Sequence, residues 1–275
     1  MEKPLLLKLV ALFTATQALG LFVAFDLAQK ISSGELEQPS IVTENPEDIE
    51  NAIGLIAYIL VFTIIILIAI KFIKGLLLFK ILESIAIFAS ALIVFSTFIP
   101  ETAGAFAILF VVLRNALRES IWIRNASSVI AVAGAGAVIG ISLGVVPVVV
   151  FIVLLAIYDI IAVFGTKHMV VMAKHLAKGN LAFTYALPSK KHQFELGTGD
   201  MVIPLTLSAS VLRENIALAS PGNFVTPVLI LIGSLIGLIA TLEYSNRNIG
   251  TALPALPPQT IIMLGMLALG KFMGY

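Results

Sequence analysis

Long apolar runs broken by short polar stretches dominate the chain. A bilayer core of ~30 Å needs ~20 apolar residues per helix. On that measure the pattern predicts about nine membrane helices, over roughly 5–29, 52–72, 76–99, 102–117, 126–144, 146–166, 197–218, 226–243 and 255–272. Arg114 and Arg118 intrude near the end of the fourth segment, and only Gly144 and the Pro147 region separate the fifth from the sixth. The first segment follows Lys3 and Lys8, as a secretory leader would, but its apolar run is too long and no clear small-x-small cleavage site follows. It reads as a retained membrane helix. The longest polar stretches are about 31–51 and 167–196. The expected fold class is all-α. A single polytopic domain covers 1–275, with helices one to six over about 5–166, a loop over about 167–196 and helices seven to nine over about 197–272.

The loop charges orient these helices. Lys71, Lys74 and Lys80 lie between segments two and three, and Arg114, Arg118 and Arg124 between four and five. Lys167, Lys174, Lys178, Lys190 and Lys191 lie between six and seven, and Arg247 between eight and nine. With Lys3 and Lys8, all fall on one side of a nine-helix topology. The other side holds Lys30, Lys271 and Arg213, and the acidic run Glu35, Glu37, Glu44, Glu47, Asp48 and Glu50. The positive-inside rule places the N-terminus and the six–seven loop in the cytoplasm and the C-terminus outside. Eight or ten helices would scramble the alternation.

Composition strengthens the membrane reading. The chain is 59% hydrophobic and 12% charged, with a mean hydropathy of +1.07. Soluble domains run at about 45–50% apolar and about 25% charged. A net charge of +1 makes no electrostatic case for nucleic acid. The absence of cysteine excludes disulfides, thiolate catalysis and cysteine metal sites. The three histidines, His168, His175 and His192, are too few and too clustered for most metal chemistry, and no metal or cofactor is expected. No HExxH is present, so the His168–His175 stretch, with Met169 and Met172, reads as a solvated basic loop. Trp122 reads as an interface anchor.

Charged side chains in the membrane cost about 3 kcal/mol on insertion scales, so those that persist need a reason. Glu83 and Glu101 sit near segment ends and are expected to snorkel to water. Arg213 and Glu214 lie ~20 Å along the helix from Asp200, at the outer interface, and Glu243 lies near the inner one. Asp159 and Asp200 differ. Asp159 precedes the end of segment six by about seven residues, ~10 Å of helix, and Asp200 enters segment seven from the same side. Helices joined by one loop are antiparallel neighbours more often than not. The two carboxylates can therefore meet at similar depth toward the cytoplasmic face. Such a pair shares one proton and titrates as a unit. Its ionised member can take a proton from water while its protonated member polarises a carbonyl.

The contexts of the two aspartates narrow the chemistry. Asp200 ends the run Gly197-Thr198-Gly199-Asp200, whose glycines allow close backbone approach by a substrate strand and unusual dihedrals. Asp159 follows Tyr158, whose hydroxyl can hydrogen-bond near the site. Pro254-Ala255-Leu256 precedes Pro257 and Pro258, and these prolines predict a non-helical stretch at the head of segment nine. These three motifs, in order on segments six, seven and nine, resemble the presenilin and signal peptide peptidase family of GxGD intramembrane aspartyl proteases, most closely a microbial, archaeal-type presenilin homologue. The resemblance covers the whole chain in segment number and three short motifs in detail. It implies a presenilin-like fold, with Asp159 and Asp200 as the catalytic pair. It also implies that Pro254, Ala255 and Leu256 shape the site and engage substrate. Two features depart from the family pattern. The loop between the aspartates lacks the long segment that eukaryotic presenilins carry and cleave. Thr198 stands where presenilins usually have a larger apolar residue.

The implied function is hydrolysis of peptide bonds in transmembrane-helix substrates within the lipid bilayer, by a chain with homo-oligomerisation left open and no nucleic-acid partner. A substrate helix must unwind locally, and its freed backbone groups need new partners. A strand added beside the Pro254 region or the loop after segment six would supply them. The main alternative is a cation or proton channel or transporter with Asp159 and Asp200 in the ion path; it would predict pseudo-repeats between the halves, and none is evident. Gly140-Ile141-Ser142-Leu143-Gly144 also matches G-x-S-x-G. All the histidines lie in the six–seven loop, so Gly136, Gly140 and Gly144 read instead as a small-residue packing stripe.

Overall fold

The structure is a computed structural model that describes residues 3–72, 75–166, 184–188, 193–220, 224–247 and 254–274. The described residues form nine α-helices: α1 Lys3–Ser32, α2 Ile49–Phe72, α3 Gly75–Phe98, α4 Ala103–Ala116, α5 Ile121–Ser142, α6 Val145–Ile160, α7 Gly199–Ala217, α8 Val225–Arg247 and α9 Leu256–Phe272. By length and apolarity alone, α1, α2, α3, α5, α6 and α8 can each cross a membrane. The other three fall short for separate reasons. α4 has 14 residues and α9 has 17, or about 21 and 26 Å at 1.5 Å per residue. α7 is long enough but more polar.

The polarity of α7 follows from its position. It packs between α5 and α1 on one side and α8 and α6 on the other. From Met201 to Leu212 only Val202 is not fully buried. A helix walled off from lipid can carry hydroxyls if each finds a partner. The Thr206 hydroxyl donates to the Val202 carbonyl at 3.0 Å, Ser208 to Pro227 at 3.1 Å and Ser210 to Leu143 at 2.7 Å. α2 shows the opposite pattern. It leans on α6 and α3 and exposes Val61, Ile64, Ile65 and Ile68, as a lipid-facing helix must.

Lipid offers apolar side chains no incentive to leave it, so helices in a bilayer associate through close packing. Small residues provide that packing here. A Cβ on Gly140 of α5 would lie 2.6 Å from the Thr206 carbonyl oxygen of α7, and one on Gly134 would lie 2.6 Å from the Ser90 carbonyl of α3. Ser142, inside the G-x-S-x-G match, donates back to the Val138 carbonyl of its own helix at 2.7 Å. Two apolar cores result. One joins α1, α5, α7 and α8 around Phe13, Ala137 and Leu205; the other joins α6, α7, α8 and α9 around Ile152, Leu207 and Met263.

Several expectations need correction. Glu83 does not snorkel. It is buried beside α4, where Arg114 donates to it through Nη2 at 2.9 Å and Nε at 3.1 Å, and Arg118 pairs with its other oxygen. Glu83 and Arg114 are each 1% exposed, so the arginine that intrudes in segment four neutralises the acid of segment three. Arg213 and Glu214 are also paired, with Glu47 at 2.9 Å and Lys271 at 3.3 Å.

The six–seven connection is not simply a polar loop. Its described residues form an antiparallel hairpin of β1 Thr184–Pro188 and β2 Gln193–Gly197, in register Tyr185 to Leu196 and Ala186 to Glu195. Gly197 therefore closes a strand, and α7 begins at Gly199. Alternating Tyr185 and Leu187, with Leu196 opposite, were the available sequence signal. The expected basic cluster of that loop, with all three histidines, lies outside the described residues.

Candidate active site

Asp159 sits in the last turn of α6, just before the backbone passes into a π-helical stretch, Ile161–Thr166. Such stretches widen the helix and recur at functional sites. The Asp159 side chain is buried at 8% exposure. Its Oδ2 accepts the Leu256 backbone N–H at 3.3 Å. This donor is an orphan of helix geometry, because the first N–H groups of a helix have no intrahelical acceptor. Pro257 and Pro258 occupy the first turn of α9. Their missing N–H groups cost nothing there, and the Leu256 N–H remains as the donor to α6. The prolines were expected to keep the start of segment nine non-helical; the helix instead begins at Leu256, with both inside it.

Asp200 lies in the first turn of α7, half-buried, next to the end of β2. The head of α9 bonds both acid-bearing turns, 41 positions apart in the chain: the Leu256 N–H donates to the Asp159 carboxylate, and the Gln259 amide donates to the Asp200 backbone carbonyl. Among the described residues neither carboxylate has a basic partner in an ion pair. Gly197 and Gly199 flank this turn without unusual dihedrals: the positive-φ glycines among the described residues are Gly34 and Gly274. What the glycines provide is room. A Cβ on Gly199 would meet nothing within 4 Å, and one on Gly197 would make an ordinary 3.7 Å contact with Asp200 Oδ2. Thr198 caps α7 through its backbone, its carbonyl accepting the N–H groups of Met201 and Val202 at 3.0 Å. Thr198 also lines a cavity of about 140 Å³ with Glu83, Ser90 and Val202. Tyr158 and Pro254 are half-buried beside Asp159 and Ala255 in sequence.

The hairpin is anchored beside this site. Asn125 of α5 treats β1 as a neighbouring strand would. It donates to the Ala186 carbonyl at 2.9 Å and accepts the Ala186 N–H at 2.8 Å. Arg124, 3% exposed, pairs with Glu195 of β2 at 2.9 Å and donates to the Thr184 carbonyl at 3.3 Å. Tyr185 is fully buried, and its hydroxyl reaches the Ser128 carbonyl at 3.3 Å and Thr16 of α1 at 3.2 Å. Burial pushes its phenol up, so the hydroxyl keeps its proton. In the sequence Arg124 reads only as a loop charge, and no local pattern marks Asn125.

Two glutamines that no sequence motif marks reach the first turn of α7. The Gln259 amide of α9 donates to the Asp200 backbone carbonyl at 3.1 Å, and the Gln17 amide of α1 donates to the Met201 carbonyl at 2.9 Å. Pro204, four residues beyond Asp200, was the available signal.

Comparison with known proteins shows the family and the fold. Residues 10–270 match the family described as signal-peptide peptidase, presenilin aspartyl protease. No curated protein matches. Among solved structures, the chain is similar to a presenilin family intramembrane aspartate protease in its C222 crystal form, at 19% identity and a TM-score of 0.68, covering 98% of each chain. Against the structure described for the P2 form the values are 24% and 0.62, covering 95% of this chain and 96% of that one.

Proposed function

The chain belongs to the signal-peptide peptidase and presenilin aspartyl protease family, and from that premise we propose that Asp159 and Asp200 are the catalytic pair of an intramembrane aspartic endopeptidase. The observation that carries the assignment is the convergence of α6, α7 and the head of α9, where Leu256 bonds the Asp159 carboxylate and Gln259 bonds the Asp200 carbonyl. One carboxylate removes a proton from the attacking water. The other donates a hydrogen bond to the scissile carbonyl, and the proton moves between them as the tetrahedral intermediate forms and collapses. The Leu256 N–H holds the Asp159 carboxylate in place, as preorganised donors hold charge elsewhere. The family supports this reading over the channel, which no feature of the site favours.

Transmembrane substrates meet the site as locally unwound segments. The outer edge of β1 is taken up by Asn125 and Arg124, and β2 runs directly into the turn that carries Asp200. A substrate strand added along β2 therefore passes Asp200 and the open space over Gly199. The whole chain acts as one membrane-embedded protease domain.

Cleavage of a transmembrane peptide in detergent tests the pair. Asp159→Ala and Asp200→Ala each abolish it; cleavage retained by either variant would sink the assignment. The basic loops support a cytoplasmic N-terminus and catalytic end and an external C-terminus. Because the chain has no cysteine, a single Glu44→Cys variant labelled by an impermeant maleimide from outside intact cells checks this. Labelling only after lysis would reverse the topology.

A further inference from the structure

Pro204 stands inside α7. A helical residue there would donate its N–H to the carbonyl four positions back, which is that of Asp200; proline has no N–H, so this carbonyl loses its helical donor at the turn that must hold the acid still. Gln259 supplies the missing donor. It is fully buried, and its Nε2 gives one hydrogen to the Asp200 carbonyl at 3.1 Å and the other to Ser234 Oγ at 3.0 Å. A carbonyl oxygen only accepts, so the amide must present its NH₂ end to Asp200. The cost is visible, since Gln259 Oε1 is buried with no partner. An aliphatic side chain would avoid that cost but leave the Asp200 carbonyl without this donor.

The packing is built around this reach. Gly237 of α8 faces Gln259, and a Cβ on it would lie 2.8 Å from Gln259 Cα and 3.1 Å from its backbone nitrogen. The glycine lets α9 approach closely enough for the amide to reach α7. On the opposite flank, Gln17 of α1 takes the next carbonyl, that of Met201. Two successive carbonyls of the loosened turn are thus held from two helices.

We propose that Gln259 is a positioning residue for Asp200, replacing across the helix interface the hydrogen bond that Pro204 removes and so fixing the carboxylate in its reacting geometry. This rests on the reading of Asp200 as catalytic.

A double-mutant cycle on the full chain in detergent tests it, with a transmembrane peptide as substrate and kcat and KM measured separately. Gln259→Leu lowers kcat about tenfold to a hundredfold, the scale of a small displacement of a reacting group, and leaves KM within about threefold. A peptide carrying a secondary alcohol in place of the scissile carbonyl binds more weakly by the same factor as kcat falls. Pro204→Ala restores an N–H for the Asp200 carbonyl, so in that background Gln259→Leu costs less than about threefold. An equal loss in both backgrounds, a loss confined to KM, or kcat unchanged in Gln259→Leu overturns the proposal. Should Pro204→Ala itself be inactive, the kcat, KM and analogue measurements on the single variant still decide. Gln259→Met stands in if the leucine variant unfolds. Asp200→Asn is the control: cleavage retained there would fail the catalytic reading itself, whereas its loss alongside equal Gln259 effects fails only the positioning.

Discussion

The carboxylate of Asp159 accepts the backbone N–H of Leu256 at 3.3 Å across 97 residues of sequence. A side chain at the end of one helix is thereby fixed by the unsatisfied donors at the start of another. The contact ties the proline-flanked head of α9 to the chemistry through its backbone, independently of the leucine side chain.

Removing that donor should therefore matter more than trimming the side chain. Leu256→Pro deletes the N–H and disfavours the helical conformation that Ala255 now holds at ψ −29°. The expected outcome is a kcat loss of about a hundredfold or more, on the scale of losing one preorganised donor. Leu256→Ala keeps the N–H and stays within about tenfold of wild type. Peptide cleavage with both variants at matched protein concentration checks the order; a leucine-to-alanine loss as large as the proline loss would make the side chain the cause.

Anchoring of the hairpin should appear in substrate binding. Arg124→Met removes the pair with Glu195 and the bond to the Thr184 carbonyl. Glu195 is 29% exposed, so water screens what is left behind and the fold survives. KM is expected to rise about tenfold, roughly 1.4 kcal/mol, with a smaller change in kcat. A pure kcat effect would separate the hairpin from substrate pairing.

The Glu83–Arg114 pair should behave as a buried ion pair does. Arg114→Met takes one arginine partner away from buried Glu83 and costs about 3–5 kcal/mol. Replacing both, with Glu83→Leu and Arg114→Met together, recovers much of that loss because no buried acid remains to be paired. Thermal unfolding in detergent measures the three variants. A double variant no more stable than Arg114→Met would show that the pair does not act as a unit.

The small-residue stripe and the serine within it should separate cleanly. Gly140→Val forces a branched side chain against the Thr206 carbonyl and destabilises by about 1–3 kcal/mol or more. Ser142→Ala removes only a bond back to Val138 and leaves cleavage at the wild-type rate. A Ser142→Ala variant with lost activity and intact folding would revive the serine chemistry that the motif suggests.

The amino-acid sequence by itself determined where the membrane helices run. A span of ~20 apolar residues is a local property, and its ends are marked by charge. It also determined that Asp159 and Asp200 needed explaining, because an acid inside an apolar run is costly wherever it packs. Tertiary structure decided how each buried polar group is satisfied. Arg114 meets Glu83 across 31 residues and Gln259 meets Asp200 across 59, pairings that depend on how closely helices approach and therefore on which glycines face which backbones. Glu83 looked free to reach water because its neighbours in sequence are near a helix end; its neighbours in space are two arginines. The hairpin was hidden for a related reason. Strands of five residues carry little signal of their own, and β1 is held by side chains of α5 that no local pattern places beside it.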